Sequence, residues 1–207
     1  MIYRFLFIFL FVLGVIIIWK ENIINDPHNI NVLVNKEYQL PDNFIPNNLK
    51  KIDLKFSNDN QFLVKEACEN FEKLSNDAAK LGYKIIAVST YRSYNYQDNL
   101  FKKYLKDYGE NHTLMYSAKP GHSEHQTGLA VDVMGSNNDY NLFEKSIEFD
   151  WMIKNSYKYG FILRYPKGKE TITGFNYEPW HYRYVGKKIA NEIQNKITLE
   201  EYKKRID

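Results

Sequence analysis

"GHSEHQTGLAVDV", running from Gly121 to Val133, places two of the chain's five histidines three residues apart and then leads through Gly128 into an apolar stretch. Along "LAVDVM", residues 129–134, strand alternation puts Leu129, Val131 and Val133 on one face and Ala130, Asp132 and Met134 on the other. Asp132 is then a carboxylate on a strand flanked by apolar residues, which is costly unless the group is paired or bound to a metal. His125 stands at the mouth of this strand, and Gly128, without a side chain, allows a tight turn into it. A histidine and an aspartate so placed can converge on one ion.

A second stretch, "YEPWHYRYVG", residues 177–186, offers the missing half. Glu178 and His181 lie three apart at the entrance of another strand. Two imidazoles and one carboxylate leave a zinc ion with an open fourth position, the mark of a catalytic rather than a structural site. Glu178 would then be free to take a proton from water. From spacing alone the rival reading stays open: two polar turns with hydrogen-bonded histidines.

The flanking chain reads as a mixture of elements. From Phe62 to Leu81 the apolar positions 64, 67, 68, 71, 74, 78 and 81 predict an amphipathic helix, with Ser57, Asn58 or Asp59 near its start and Gly82 past its end. Ile85 to Ser89 reads as a buried strand, 94–108 as a helix, and 143–159 as a helix stopped by Gly160. "FILRY" and "HYRYVG" read as strands, and 187–205 as a charged terminal helix. Residues 32–34, "VLV", predict a short strand leading into an extended segment that wraps the domain. Strict βαβ alternation is absent, so the expected class is α+β. His112, in "YGENHTL", reads as a solvated loop residue and His122 as a neighbour at the pocket edge. Trp180 either walls a cleft or packs.

Composition narrows the class. With 207 residues the chain can bury a real core, and 16% aromatic content fits a folded domain. The formal charge is only +3, with no basic stripe, so a nucleic-acid partner is not expected. The single cysteine, Cys68, excludes an intrachain disulfide and reads as a small core residue. At the N-terminus an unbroken apolar run extends from Phe5 to Trp19. Counted from Ile2 with Arg4 snorkelling, it reaches marginal transmembrane length. No small-x-small cleavage site follows, so residues 1–20 are expected to form an uncleaved membrane anchor, with a cleaved signal peptide as the rival. Either reading exports the rest: a linker at 21–31 and a domain at 32–207, outside the cell membrane.

"SEHQTGLAVD" and "EPWH" together resemble the S-x-H-x-x-G-x-A-x-D and E-x-W-H motifs of the VanY-type zinc D-alanyl-D-alanine carboxypeptidases and their D,D-dipeptidase relatives. "LVNKEYQLPDNFIP", "STYRSYNYQ" and "YGFILRYPKGKETITGFNYEPWHYRYVG" extend the likeness over about residues 32–190. The resemblance implies a hedgehog/D,D-peptidase-like fold in which a small antiparallel sheet carries the zinc site and packs against helices. It implies one zinc per chain on His125, Asp132 and His181, with Glu178 as base. It also implies that Arg92 holds the scissile carbonyl oxygen, that Ser123 lines the pocket for the terminal D-alanine, and that Gln97 has a weaker substrate role. The expected activity is removal of the C-terminal D-alanine from peptidoglycan stem pentapeptides, in routine wall trimming or in glycopeptide resistance. The alternatives are an L,D-carboxypeptidase acting on tetrapeptides and a non-catalytic wall-binding module.

Overall fold

The computed structural model describes residues 22–206. The expected anchor at 1–20 lies outside the described residues, among which no helix is long and apolar enough to cross a membrane. In chain order the elements are β1 (Asn22–Ile23), β2 (Tyr38–Gln39), β3 (Leu49–Lys51), β4 (Phe62–Val64), α1 (Lys65–Lys80), β5 (Ile86–Ser89), α2 (Tyr94–Tyr108) and α3 (Glu110–Tyr116). They continue with β6 (Ala130–Met134), α4 (Tyr140–Phe143), α5 (Ile147–Asn155), β7 (Phe161–Leu163), α6 (Glu170–Thr173), β8 (His181–Tyr184), α7 (Lys187–Ile193) and α8 (Leu199–Ile206). This is an α+β fold built on a four-stranded antiparallel sheet of order β5-β6-β8-β7.

Alternation sorts the sheet into two chemically different faces. Val131, Val133, Tyr182, Tyr184, Phe161 and Leu163 point to one side. There they meet Ala67, Cys68, Phe71, Leu74 and Ala78 of α1 and Trp151 and Met152 of α5 in the main core. Cys68 is fully buried, and burial pushes its thiol up to about 12, as a core residue requires. The opposite face of the same strands carries Asp132, His181 and Arg183, because one residue along a strand reverses the side-chain direction.

Several elements differ from expectation, each for a tertiary reason. Phe62–Val64 is not the first turn of α1 but a strand, because it pairs with Leu49–Lys51. No side chain caps α1, whose N-cap is Val64. The helix expected at 143–159 is α5 followed by a 3-10 turn, Ser156–Tyr159, and Gly160 does end it in the left-handed region. The terminal helix breaks into α7 and α8, with Gln194 and Asn195 at positive φ. Asn195 is held there because its side chain accepts from the Leu163 amide and donates to the Ile153 carbonyl. Residues 110–116 form α3 rather than a loop.

The N-terminal segment does wrap the domain, although Val32–Val34 is not a strand. Val32, Val34, Leu40 and Phe44 form a small core of their own. The segment read as a linker also lies against the domain: Asn22–Ile23 pairs in parallel with Tyr38–Gln39, and the His28 ring meets Phe44 edge-on at 5.0 Å.

Candidate metal centre and substrate cleft

Two local devices bring the histidines and the aspartate together. In the β6–β8 ladder Asp132 is directly opposite His181, so both side chains leave the same face. His125 comes from a 3-10 turn, Glu124–Thr127, that ends on Gly128 in the left-handed region at φ +67°. A β-carbon at Gly128 would lie 3.0 Å from Leu49 Cδ2 and 3.2 Å from Pro46 and Val64, so glycine is required by both conformation and space. The turn delivers His125 Nε2 to 3.3 Å from Asp132 Oδ2, while His181 Nδ1 lies 3.0 Å from Asp132 Oδ1.

One donor atom from each of His125, Asp132 and His181 lies within 4.8 Å of the others, and all three residues are buried. Ligand bonds of 2.0–2.2 Å around a tetrahedral zinc separate neighbouring donor atoms by about 3.4 Å, so the spacing fits. Asp132 Oδ1 is buried and lies 3.0 Å from His181 Nδ1, a separation that two donor atoms on one ion can share. His125 turns Nε2 to this centre because its Nδ1 donates to the Thr90 carbonyl at 2.7 Å. His181 instead presents Nδ1, and its Nε2 faces Glu124 Oε2 at 3.4 Å. Glu178 Oε2 stands 3.7 Å from His181 Nδ1, beside the three.

The buried groups of the centre shift one another's proton affinities. Burial favours a neutral Asp132, but the His125 and His181 imidazoles against it hold its carboxyl well below the usual range. Burial, with the Arg92 charge nearby, lowers His125 to about 4, so it is a neutral donor near pH 7. Burial opposes charge on His181 as well, yet the Asp132 and Glu124 carboxylates outweigh it and raise the imidazole to about 9. Glu178 is pushed up to about 7, by burial first and against the pull of His181 and Arg92.

The centre opens into a cavity of about 730 Å³, and Arg92, Gln97, Ser123, Glu178 and Trp180 all line it. Arg92 Nε is buried without a partner, and the Arg92 amide donates to the His125 carbonyl, which ties this arginine to the turn. Gln97 donates to the Ala118 carbonyl at 2.8 Å, leaving its Oε1 unpartnered. Every residue singled out in the sequence for zinc, catalysis or substrate therefore borders one cleft. Trp180 both lines it and packs against the core, meeting Tyr140 at 5.3 Å. His122 does not reach it: its Nδ1 contacts the Asn35 carbonyl at 2.8 Å, and the ring borders a separate depression. His112, on α3, lies between Tyr108 and Tyr116 at 5.0 and 4.7 Å and lines the far end of the cleft.

The sequence places Arg164 and Arg183 on strands near the site without saying which way they face, and does not reveal the buried charges behind the centre. Arg164 and Arg183 are fully buried, and both donate to Glu124 Oε1, at 2.7 and 2.8 Å. Arg164 also grips Glu200 of α8 through two nitrogens, at 2.9 and 2.7 Å. Burial alone would raise Glu124, but the two guanidiniums hold it well below the usual carboxylate range. Arginines on strands β8 and next to β7, with a glutamate inside the "SEH" turn, were the available signal. Their partners lie 36 to 59 positions away, so spacing could not pair them.

Comparison with known proteins follows the same residues. The family model for VanY, described as D-alanyl-D-alanine carboxypeptidase, matches residues 60–187. The protein YodJ of Bacillus subtilis (strain 168) is 45% identical over 191 residues, covering 88% of this chain and 70% of its own length. A solved structure of the LD-carboxypeptidase LdcB superposes with a TM-score of 0.83 at 45% identity, covering 88% of this chain and 89% of that one. A zinc-bound structure of the D,D-pentapeptidase VanY from a VanB-type vancomycin-resistance cassette superposes at 0.71 with 30% identity, covering 83% and 97%.

Proposed function

Because the chain belongs to the VanY family of D-alanyl-D-alanine carboxypeptidases, and is a carboxypeptidase, we propose that it removes the C-terminal D-alanine from peptidoglycan stem peptides with one zinc ion held by His125, Asp132 and His181. The observation that carries this is the convergence of those three buried side chains beside Glu178 at the floor of an open cleft.

A zinc ion bound there supplies Lewis acidity, which brings the pKa of water from 15.7 toward about 7. Glu178 takes the proton on Oε2 and returns it to the amine of the departing D-alanine. Arg92, with unpartnered Nε in the cleft wall, donates to the scissile carbonyl oxygen as negative charge grows on it. Ser123 and the free Oε1 of Gln97 receive the terminal residue. The N-terminal apolar run, Phe5 to Trp19, supports a tether at residues 1–20 that holds the domain outside the membrane.

The two substrate readings differ in the bond cut. The sequence favoured the pentapeptide and its D,D bond. The 45% identity to LdcB, against 30% to the VanY pentapeptidase, supports the tetrapeptide and its L,D bond, and we place it first. Zinc-loaded full-length chain given each peptide separately decides the order. Faster release of D-alanine from the tetrapeptide is expected. Faster release from the pentapeptide restores the D,D reading, and release from neither refutes both.

A further inference from the structure

We propose that Glu124 is the positioning residue that sets His181 to bind metal through Nδ1, that Arg164 and Arg183 hold Glu124 in place, and that Glu200 balances their charge. The inference rests on the metal site proposed above and assigns a role to a carboxylate which that site does not use.

An imidazole carrying one proton can bind a metal only through the other nitrogen. His181 Nδ1 faces Asp132 and Glu178, so the ligand tautomer must keep its proton on Nε2. The acidic atom facing Nε2 is Glu124 Oε2, at 3.4 Å. Its sister oxygen, Oε1, is occupied by Arg164 and Arg183, so Oε2 alone is left for the imidazole. The Tyr165 ring lies 4.9 Å from that of His181 and confines it further. His125 solves the same problem with a neutral acceptor, the Thr90 carbonyl. The two histidines thus bind through opposite nitrogens, each chosen by what its other nitrogen meets.

A lone glutamate here would add a second buried negative charge behind Asp132. The frame offsets it: two guanidiniums and two carboxylates, with Glu124, Arg164 and Arg183 fully enclosed. The frame also reaches distant parts of the chain. Glu200 belongs to α8, and Arg183 Nη2 donates to the Ile30 and Val32 carbonyls of the N-terminal wrap. Both ends of the described chain therefore close on the residue behind His181. A carboxylate backing a ligand histidine raises its basicity, and removing such a partner typically weakens metal binding by about 10–100-fold.

The test is zinc affinity of the full-length chain by competition with a fluorescent chelator, alongside the cobalt(II) absorption spectrum and the melting temperature of the metal-free protein. Glu124→Gln is expected to lose about 10–100-fold in zinc affinity and to shift the cobalt bands. Glu200→Gln removes a charge of the same frame without touching a ligand, and is expected to lower metal-free melting while leaving zinc affinity within about threefold of wild type. Should Glu124→Gln fail to fold, the charge-balanced pair Glu124→Gln with Arg183→Met carries the same expectation. Unchanged affinity and cobalt spectrum in a folded Glu124 variant overturn the proposal, as does an equal loss in Glu200→Gln. Wild-type chain that binds no zinc refutes the metal site itself, a separate result.

Discussion

Asp132 and Glu178 share a cleft, yet their surroundings drive them in opposite directions. Asp132 is held ionised by two imidazoles, whereas Glu178 is raised to about 7 by burial. The first suits a ligand and the second a group that must gain and lose a proton near neutral pH. Since the base works ionised, kcat/KM should be full above its pKa and fall tenfold per unit below it. A bound dication favours the ionised form, so the acid limb should centre at or below about 7. Rate profiles from about pH 5 to 9 check this, and a flat acid side would remove Glu178 as the base. Glu178→Gln should abolish turnover while zinc content stays at the wild-type level; retained turnover is the opposing result. The convergence of His125, Asp132 and His181 was legible from two short motifs because each sits at the mouth of a strand or within one. Glu124 was not, because its role depends on arginines from two other stretches of chain.

Among the elements, the 3-10 turn at Glu124–Thr127 has a strict backbone requirement at Gly128. A left-handed conformation costs a non-glycine residue about 1–2 kcal/mol, and here a methyl group would also press on Leu49, Pro46 and Val64. Gly128→Ala should therefore lower stability by at least about 1–2 kcal/mol in urea unfolding. A variant as stable as wild type would show that the turn tolerates a side chain. Helix α2 and the strand at Ala130–Met134 agree with their sequence patterns, as locally periodic segments should. The break between α7 and α8 carries no glycine or proline, and its cause is the Asn195 side chain bound to β7 and to the end of α5. Likewise β4 continues the apolar pattern of α1 and becomes a strand only because β3 lies beside it.

Across the whole molecule, the cleft is longer than a terminal D-alanine needs. Gln97 and Tyr108, eleven residues apart on α2, both line it, which spans about 16 Å at 1.5 Å per residue. Tyr104, Tyr108, His112 and Tyr116 continue as a ladder of rings along α2 and α3. Such a wall suits a substrate of several residues better than a free dipeptide. Tyr108→Ala should raise KM for a full stem peptide about 5–10-fold, as loss of ~1 kcal/mol of ring contact implies. Cleavage of its C-terminal dipeptide fragment should not change. Equal effects on both substrates, or none on either, would show that the ladder does not contact the longer one.

What the sequence determined by itself were the features set by neighbours along the chain. The periodicities of α1 and α2, the alternation that separates Asp132 from the core face, and the residue types at His125, Glu178 and His181 are all of this kind. What only the tertiary structure decided were features needing distant partners. The Asp132–His181 register, the nitrogen each histidine presents, the turning away of His122 and the four-charge frame around Glu124 depend on strands and helices meeting in space. The physical reason is range: backbone and pattern preferences act over a few residues. A buried charge is stabilised by whatever opposite charge the fold brings within about 3 Å, however far off in sequence.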